Sequence, residues 1–348
     1  MFNNKKMIFS SRFGANVITK GCEEKLKFCY RSKLGINLPN VQQFSRTYRA
    51  ARPTVGSGKK KSSTRPYKLN GSNCRKMHSS ASQGNGISNS SFEDSEWGLR
   101  CKLAVAYRIA AYNGWDEVIF NHITAKCPTD NPQEKLFLIN PFGLGFDEVT
   151  ASSLLKVDIE GNVVDAGNSS GLLFRQGYVI HSAVHNARED AECVWHCHHP
   201  DVVAVSMLES GVLPLSQEAL FVYDYMSYHP FEGSATDVDE RERIVQSLGQ
   251  ANKVLMMDNH GPLTVGSSIE EAFRYMHYIC RACEYQVKAM SMSGGETEKM
   301  RIPNDDCVEK MLERVKQSNQ QGYDVQSLMF QRMVRKMEAI YGTDNIYC

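Results

Sequence analysis

Val194-Trp195-His196-Cys197-His198-His199-Pro200, read together with Asp258-Asn259-His260-Gly261, decides how this chain is organised. Residues 191–198 predict a short β-strand, since β-branched and aromatic residues follow a charged turn. Side chains on a strand alternate faces. His196 and His198 therefore point one way while Trp195 and Cys197 point the other. Two imidazoles on one face of a rigid strand, joined by His260 from a later strand end, suit a three-nitrogen metal site. Catalytic zinc is held by three protein ligands, with a fourth position open to water or substrate. The same residues also suit a pair of hydrogen-bonded strand histidines, and spacing alone leaves both readings open.

Working outward, the charge is divided unevenly. Residues 1–92 hold 18 Lys/Arg and two acids, a net of +16, so with +1 for the whole chain the remainder carries −15. This predicts a basic arm on an acidic body. The arm is rich in Ser, Gly, Asn and Lys without an apolar period, and Gly56 to Ser63 and Ser79 to Ser91 read as disordered linker. A basic, Ser-rich, acid-poor start also suits a mitochondrial targeting segment, with Phe44-Ser45-Arg46-Thr47-Tyr48-Arg49 near a cleavage point. No apolar run approaches the roughly 18 residues that span a bilayer. The 11 cysteines form no framework, which fits a reducing compartment, so cytoplasmic location is expected beside the mitochondrial alternative. Cys280-Arg281-Ala282-Cys283 lies in a helical pattern and reads as packing rather than zinc chemistry.

From Asp94-Ser95 onward the pattern alternates between helix and strand. A helix is predicted to run to Asn113-Gly114, with Trp97, Leu99, Leu103, Tyr107 and Ala110 on one stripe. Strands are expected at 117–123, 135–139, 155–159, 162–164, 253–257 and 262–265, and helices at 178–188, 201–208 and 237–248. A long helix starts after Ser268, with Glu270 and Glu271 in its first turn, and 305–317 and 325–341 close the chain as helices. These elements predict one α/β layered domain over about 93–345, preceded by the 1–92 extension.

Several blocks in order resemble the class II aldolase/adducin family. They are Asn140-Pro141-Phe142-Gly143, Glu148 to Leu154, His181-Ser182-Ala183, His196-x-His198, Gly211 to Ala219, Asn259-His260-Gly261 and Ala282-Cys283-Glu284-x-Gln286. The resemblance implies a three-layer αβα sandwich, a homotetramer with sites between subunits, and zinc or another divalent transition metal on His196, His198 and His260. In the family's sugar-phosphate aldolases a glutamate moves the proton, and here that position is Gly177. The serines of the phosphate cradle correspond to Arg175 and Gln176, and the glycine-asparagine phosphate turn to Asn121-His122.

Retained ligands beside a lost phosphate cradle predict a metal-dependent lyase acting on a small unphosphorylated hydroxy or oxo carbonyl compound. Glu218 is the expected replacement base, with Tyr223, Tyr225 and His229 as weaker candidates for the opposing acid. His181, His199 and His277 are expected to be hydrogen-bonded or packed. The alternative is an adducin-like module without catalysis, bound to the actin/spectrin cytoskeleton. Leu213-Pro214-x-Ser216-x-Glu218-Ala219 and Tyr228-His229-x-x-x-Gly233 resemble adducin heads. No nucleic-acid partner is expected.

Overall fold

The structure, a computed structural model, describes residues 92–131, 133–233, 238–320 and 324–348. The expected basic extension therefore lies, but for Phe92, outside the described residues. The first helix, α1 (Glu96–Asn113), starts where the Ser95 hydroxyl accepts the Gly98 N–H and ends on Gly114 in the left-handed region, as the sequence predicts. The strands are β1 (His122–Lys126), β2 (Leu136–Ile139), β3 (Leu155–Asp158), β4 (Val163–Asp165), β5 (Cys193–His196), β6 (Met226–His229), β7 (Val254–Met257) and β8 (Gly261–Gly266). Between and after them lie α2 (Arg175–Ala187), α3 (Pro200–Ser206), α4 (Gln217–Val222), α5 (Val238–Leu248), α6 (Ile269–Ser293), α7 (Asp305–Gln320), α8 (Val325–Tyr341) and α9 (Thr343–Tyr347).

The eight strands form one sheet in the order β4-β3-β2-β1-β5-β8-β7-β6. Every pairing is antiparallel except β6 with β7, which the connection through α5 makes parallel. Its two faces are covered differently. On one, Cys193, Trp195 and Cys197 join the apolar sides of α1, α6 and α8, with Trp115 and Phe273 packed against Trp195. On the other, Val194, Leu255, Leu263 and Val265 meet Ile180 and Val184 of α2 and Ile244 and Leu248 of α5. This is the three-layer αβα sandwich. Cys280 and Cys283 are free, buried thiols in the first of these cores, as packing requires.

Three local readings are corrected. The strand expected over 117–123 begins only at His122, because Val118 has φ 54° and the chain turns there, with Phe120 N–H bonded to the Glu117 carbonyl. The strand expected through His198 stops at His196, since the His198 N–H leaves the sheet for the Trp115 carbonyl. Strand β6 and helix α4 were not expected; Met226-Ser227-Tyr228-His229 lacks clean alternation, with only His229 buried.

Candidate metal centre

Strand β5 and the β7–β8 turn bring three imidazoles together. His196 ends β5 at the centre of the sheet, paired with His122 of β1 on one side and Leu263 of β8 on the other. His198 follows two residues later, outside the strand. His260 sits in the tight turn before β8, where Asn259 takes φ 57°, a left-handed position that asparagine tolerates. Gly261 then passes so close to the β5 end that a Cβ would lie 2.7 Å from the Cys197 carbonyl, which fixes the approach of the two segments. One ring nitrogen from each of His196, His198 and His260 lies within 4.8 Å of the other two. The ring centroids are 4.8–4.9 Å apart.

Hydrogen bonds fix the direction of two rings. His196 Nδ1 lies 3.0 Å from the Pro262 carbonyl and His198 Nδ1 lies 2.5 Å from Glu117 Oε2. A carbonyl and a carboxylate only accept, so each Nδ1 carries a proton, and in the neutral ring each Nε2 then offers a lone pair. Yet the two Nε2 atoms face each other at 2.9 Å. Two lone pairs at that separation repel unless a cation or a shared proton lies between them. With His260 as a third donor, this set fits a divalent transition metal, and the outer hydrogen bonds are of the kind that orient histidine ligands. Burial pushes the His260 pKa down to about 4, aided by His198 and opposed by Glu117, and burial holds His196 well below the usual histidine range. Neutral rings are the form that binds metal.

Behind the triad a second group of polar side chains fills the space between β1 and α2. His122 Nδ1 is 2.8 Å from His181 Nε2, and His181 Nδ1 is 2.7 Å from Thr124 Oγ1. Thr124 Oγ1 is also 2.8 Å from His185 Nε2, and His185 Nδ1 ends the chain 2.7 Å from the Ala191 carbonyl. The four side chains are buried. Desolvation pushes the His122 pKa down to about 3 and that of His185 to about 4, and holds His181 well below its ordinary value. His181 stands mid-helix in α2 rather than near its start, hydrogen-bonded as expected. Gly177 makes room for this arrangement. A Cβ there would lie 1.8 Å from His122 Nε2.

The other sequence candidates are scattered. Glu218 stands in the first turn of α4, where its charge opposes the lowering of the His277 pKa by burial and Arg281. The carboxylate set at the triad is Glu117, which sequence reasoning missed; it sits in an irregular turn whose spacing carries no signal. Tyr223 is 37% exposed in a short 3₁₀ turn with Tyr225, whose ring lies tilted at 5.9 Å from Tyr275. His229 ends β6, bonded through Nδ1 to Ser247 Oγ at 3.0 Å, and its Nε2 has no partner among the described residues. It borders a shallow cleft shared with His260, Phe231, Asp258 and Ile180. His199 caps α3 by accepting the Asp201 N–H, and His277 packs among Trp115, Phe273 and Tyr278.

With this geometry in place, comparison with known proteins gives the family. Residues 101–287 match the "Class II Aldolase and Adducin N-terminal domain". The chain belongs to the class II aldolase/adducin family. A class 2 aldolase-type protein of Caulobacter vibrioides is 49% identical over 199 residues, 57% of this chain and 75% of that protein. Alpha-adducin of Mus musculus is 46% identical over 197 residues, 57% of this chain but only 26% of the adducin. Among solved structures, an aldolase II superfamily protein from Pseudomonas syringae superposes with a TM-score of 0.65 at 39% identity, covering 73% of this chain and 96% of that one. The class II aldolase fold expected from the sequence is thereby established, and aldolase-type and adducin relatives match it about equally well.

Proposed function

We propose that this protein is a metal-dependent class II aldolase-like lyase acting on a small, unphosphorylated hydroxy or oxo carbonyl compound. The observation that carries this reading is the convergence of three imidazoles whose outer nitrogens are already committed at His196 and His198. His196, His198 and His260 would hold zinc or another divalent transition metal. The bound metal supplies Lewis acidity, polarising a carbonyl and stabilising the charge that develops on its oxygen. The positions that match the family's phosphate cradle do not repeat its serines and glycine: Arg175 and Gln176 are exposed there, and Asn121 is buried with its side-chain oxygen accepting the Glu117 N–H. The assembly is read as a homotetramer, by the family's precedent, in the cytoplasm; import into isolated mitochondria with shortening of the chain would move it to the mitochondrial alternative.

The experiment is metal content of the purified full chain by mass spectrometry, beside His198→Ala. About one metal per chain, lost in the variant, supports the site; stoichiometric metal retained in His198→Ala refutes the assignment. Glu218 stays in this reading as a proton-transfer group reaching a site from α4, with Tyr223 and His229 behind it. Unchanged turnover in Glu218→Gln removes it.

The second reading is a non-catalytic adducin-like module on actin and spectrin, favoured by the 46% identity to alpha-adducin. It predicts co-sedimentation of the full chain with actin filaments or spectrin, and no metal requirement for that binding.

A further inference from the structure

The geometry points to His122 as the proton acceptor of this site, with His181, Thr124 and His185 as positioning residues that hold its Nε2 unprotonated beside Gly177, across the sheet from His196. This rests on the lyase reading above and gives the carbon-bound proton to His122, leaving Glu218, Tyr223 and His229 to proton transfer at the substrate's oxygen.

The direction of every hydrogen bond follows from the far end of the chain. The Ala191 carbonyl can only accept, so His185 Nδ1 carries a proton and its Nε2 is an acceptor. Thr124 must then donate to His185 Nε2, which leaves its oxygen to accept from His181 Nδ1. His181 Nε2 is thereby an acceptor, filled by His122 Nδ1–H. His122 Nε2 is left with a lone pair. Four side chains in sequence thus convert one backbone carbonyl into one fixed tautomer at the site.

Position completes the argument. His122 lies directly across from His196 in the sheet, with ring centroids 5.4 Å apart. Its Nε2 occupies the space beside Gly177, where any side chain would collide with it. His122 is not among the three rings whose nitrogens converge. It is a neutral base beside a ligand set, backed by a chain that stabilises added charge. In the step proposed, the bond from hydrogen to the carbon next to the substrate carbonyl breaks. The proton goes to His122 Nε2 and the electron pair to the carbonyl oxygen, while His122 Nδ1–H strengthens its bond to His181. The same proton returns to carbon in the product.

The test uses the full chain with ¹⁵N-labelled histidine, its rings assigned by single substitutions. Ring-nitrogen spectra should show His122, His181 and His185 protonated at Nδ1 and bare at Nε2. Thr124→Val should release His181 from that state. A proton on His122 Nε2 in the unsubstituted chain overturns the proposal.

A second measurement follows deuterium exchange into hydroxyacetone in heavy water by the zinc-loaded chain. His122→Gln should bind as much zinc as the parent and exchange at least about 100-fold more slowly. Loss of zinc in that variant makes the ring a ligand and overturns the proposal, as does unchanged exchange. If the parent binds no zinc and exchanges nothing, the lyase reading falls, and the base role with it. A wrong His122 tautomer beside intact exchange removes His122 alone.

Discussion

Substituting Gly177 by alanine should destabilise this protein, and the same substitution should stabilise it once His122 is gone. Gly177 is the third residue of α2, and its added Cβ would sit 1.8 Å from His122 Nε2 and 2.3 Å from Cδ2. Carbon contacts are comfortable near 3.5–4.0 Å, so the overlap is about 1.5 Å or more. The ring has no easy retreat: it is 4% exposed, tied to His181 and flanked by Phe174 and His196. Displacing it loses a buried hydrogen bond of about 0.5–1.5 kcal/mol and overpacks the layer by about 1–3 kcal/mol. Alanine recovers about 1 kcal/mol of helix propensity over glycine. The net cost is about 1–3 kcal/mol in the parent. In a His122→Ala background only the propensity gain remains, and the sign reverses. Urea unfolding of the four chains in a double-mutant cycle reads the coupling, expected at about 2–4 kcal/mol. If Gly177→Ala stabilises the parent, or shifts both backgrounds alike, His122 does not fill that space and the placement of the relay is wrong.

Two further outcomes follow. The Tyr107 hydroxyl, fully buried, accepts the Ile123 and Asn140 backbone N–H groups at 3.0 Å and so ties β1 to β2. Tyr107→Phe leaves both donors unpaired and should cost about 2–4 kcal/mol by urea unfolding, without changing metal content. The buried relay also sets an acid limit. His185 drops to about 4 and His181 well below its ordinary value, both through burial, with His122 and Lys126 adding repulsion. Protonation therefore favours the unfolded chain. Stability is complete above an unfolded value near 6.5 and falls as pH drops toward 4, by about 1.4 kcal/mol per pH unit for each ring. Urea midpoints that stay level between about pH 7 and pH 5 would contradict this.

Much of the architecture could be read from local chemistry. Ser95 and Ser268 cap helices where the sequence placed them, Gly114 ends α1, and α8 spans the predicted 325–341. These are short-range signals, set by one side chain and its own backbone. The three converging histidines were legible for a related reason: His196 and His198 stand two residues apart at and just past the end of β5, and the third sits in an Asn-His-Gly turn. What escaped was tertiary. Strand β6 is held by a parallel neighbour across the α5 crossover, and only one of its four residues is buried. Glu117 reaches His198 from 81 residues away. The relay joins β1 to α2 across 57–61 residues. Its signal was present but divided. His122 and Thr124 share a strand face at i, i+2, and His181 and His185 share a helix face at i, i+4. Neither spacing points to the other until the sheet order brings β1 beside β5 and lays α2 across both.

The relay also bears on the choice between lyase and cytoskeletal module. Buried polar groups add little net stability over well-packed apolar side chains, and they cost heavily when any member lacks its partner. Along the same sheet face, Val194, Leu263 and Val265 show the apolar solution. At His122, Thr124, His181 and His185 the layer instead holds a directional chain running from a backbone carbonyl to the edge of the histidine triad. A module that works only through its outer surface gains nothing from a fixed imidazole tautomer in its interior. A site that moves protons does. The interior of this protein thus adds a reason for the lyase reading that is separate from the metal ligands.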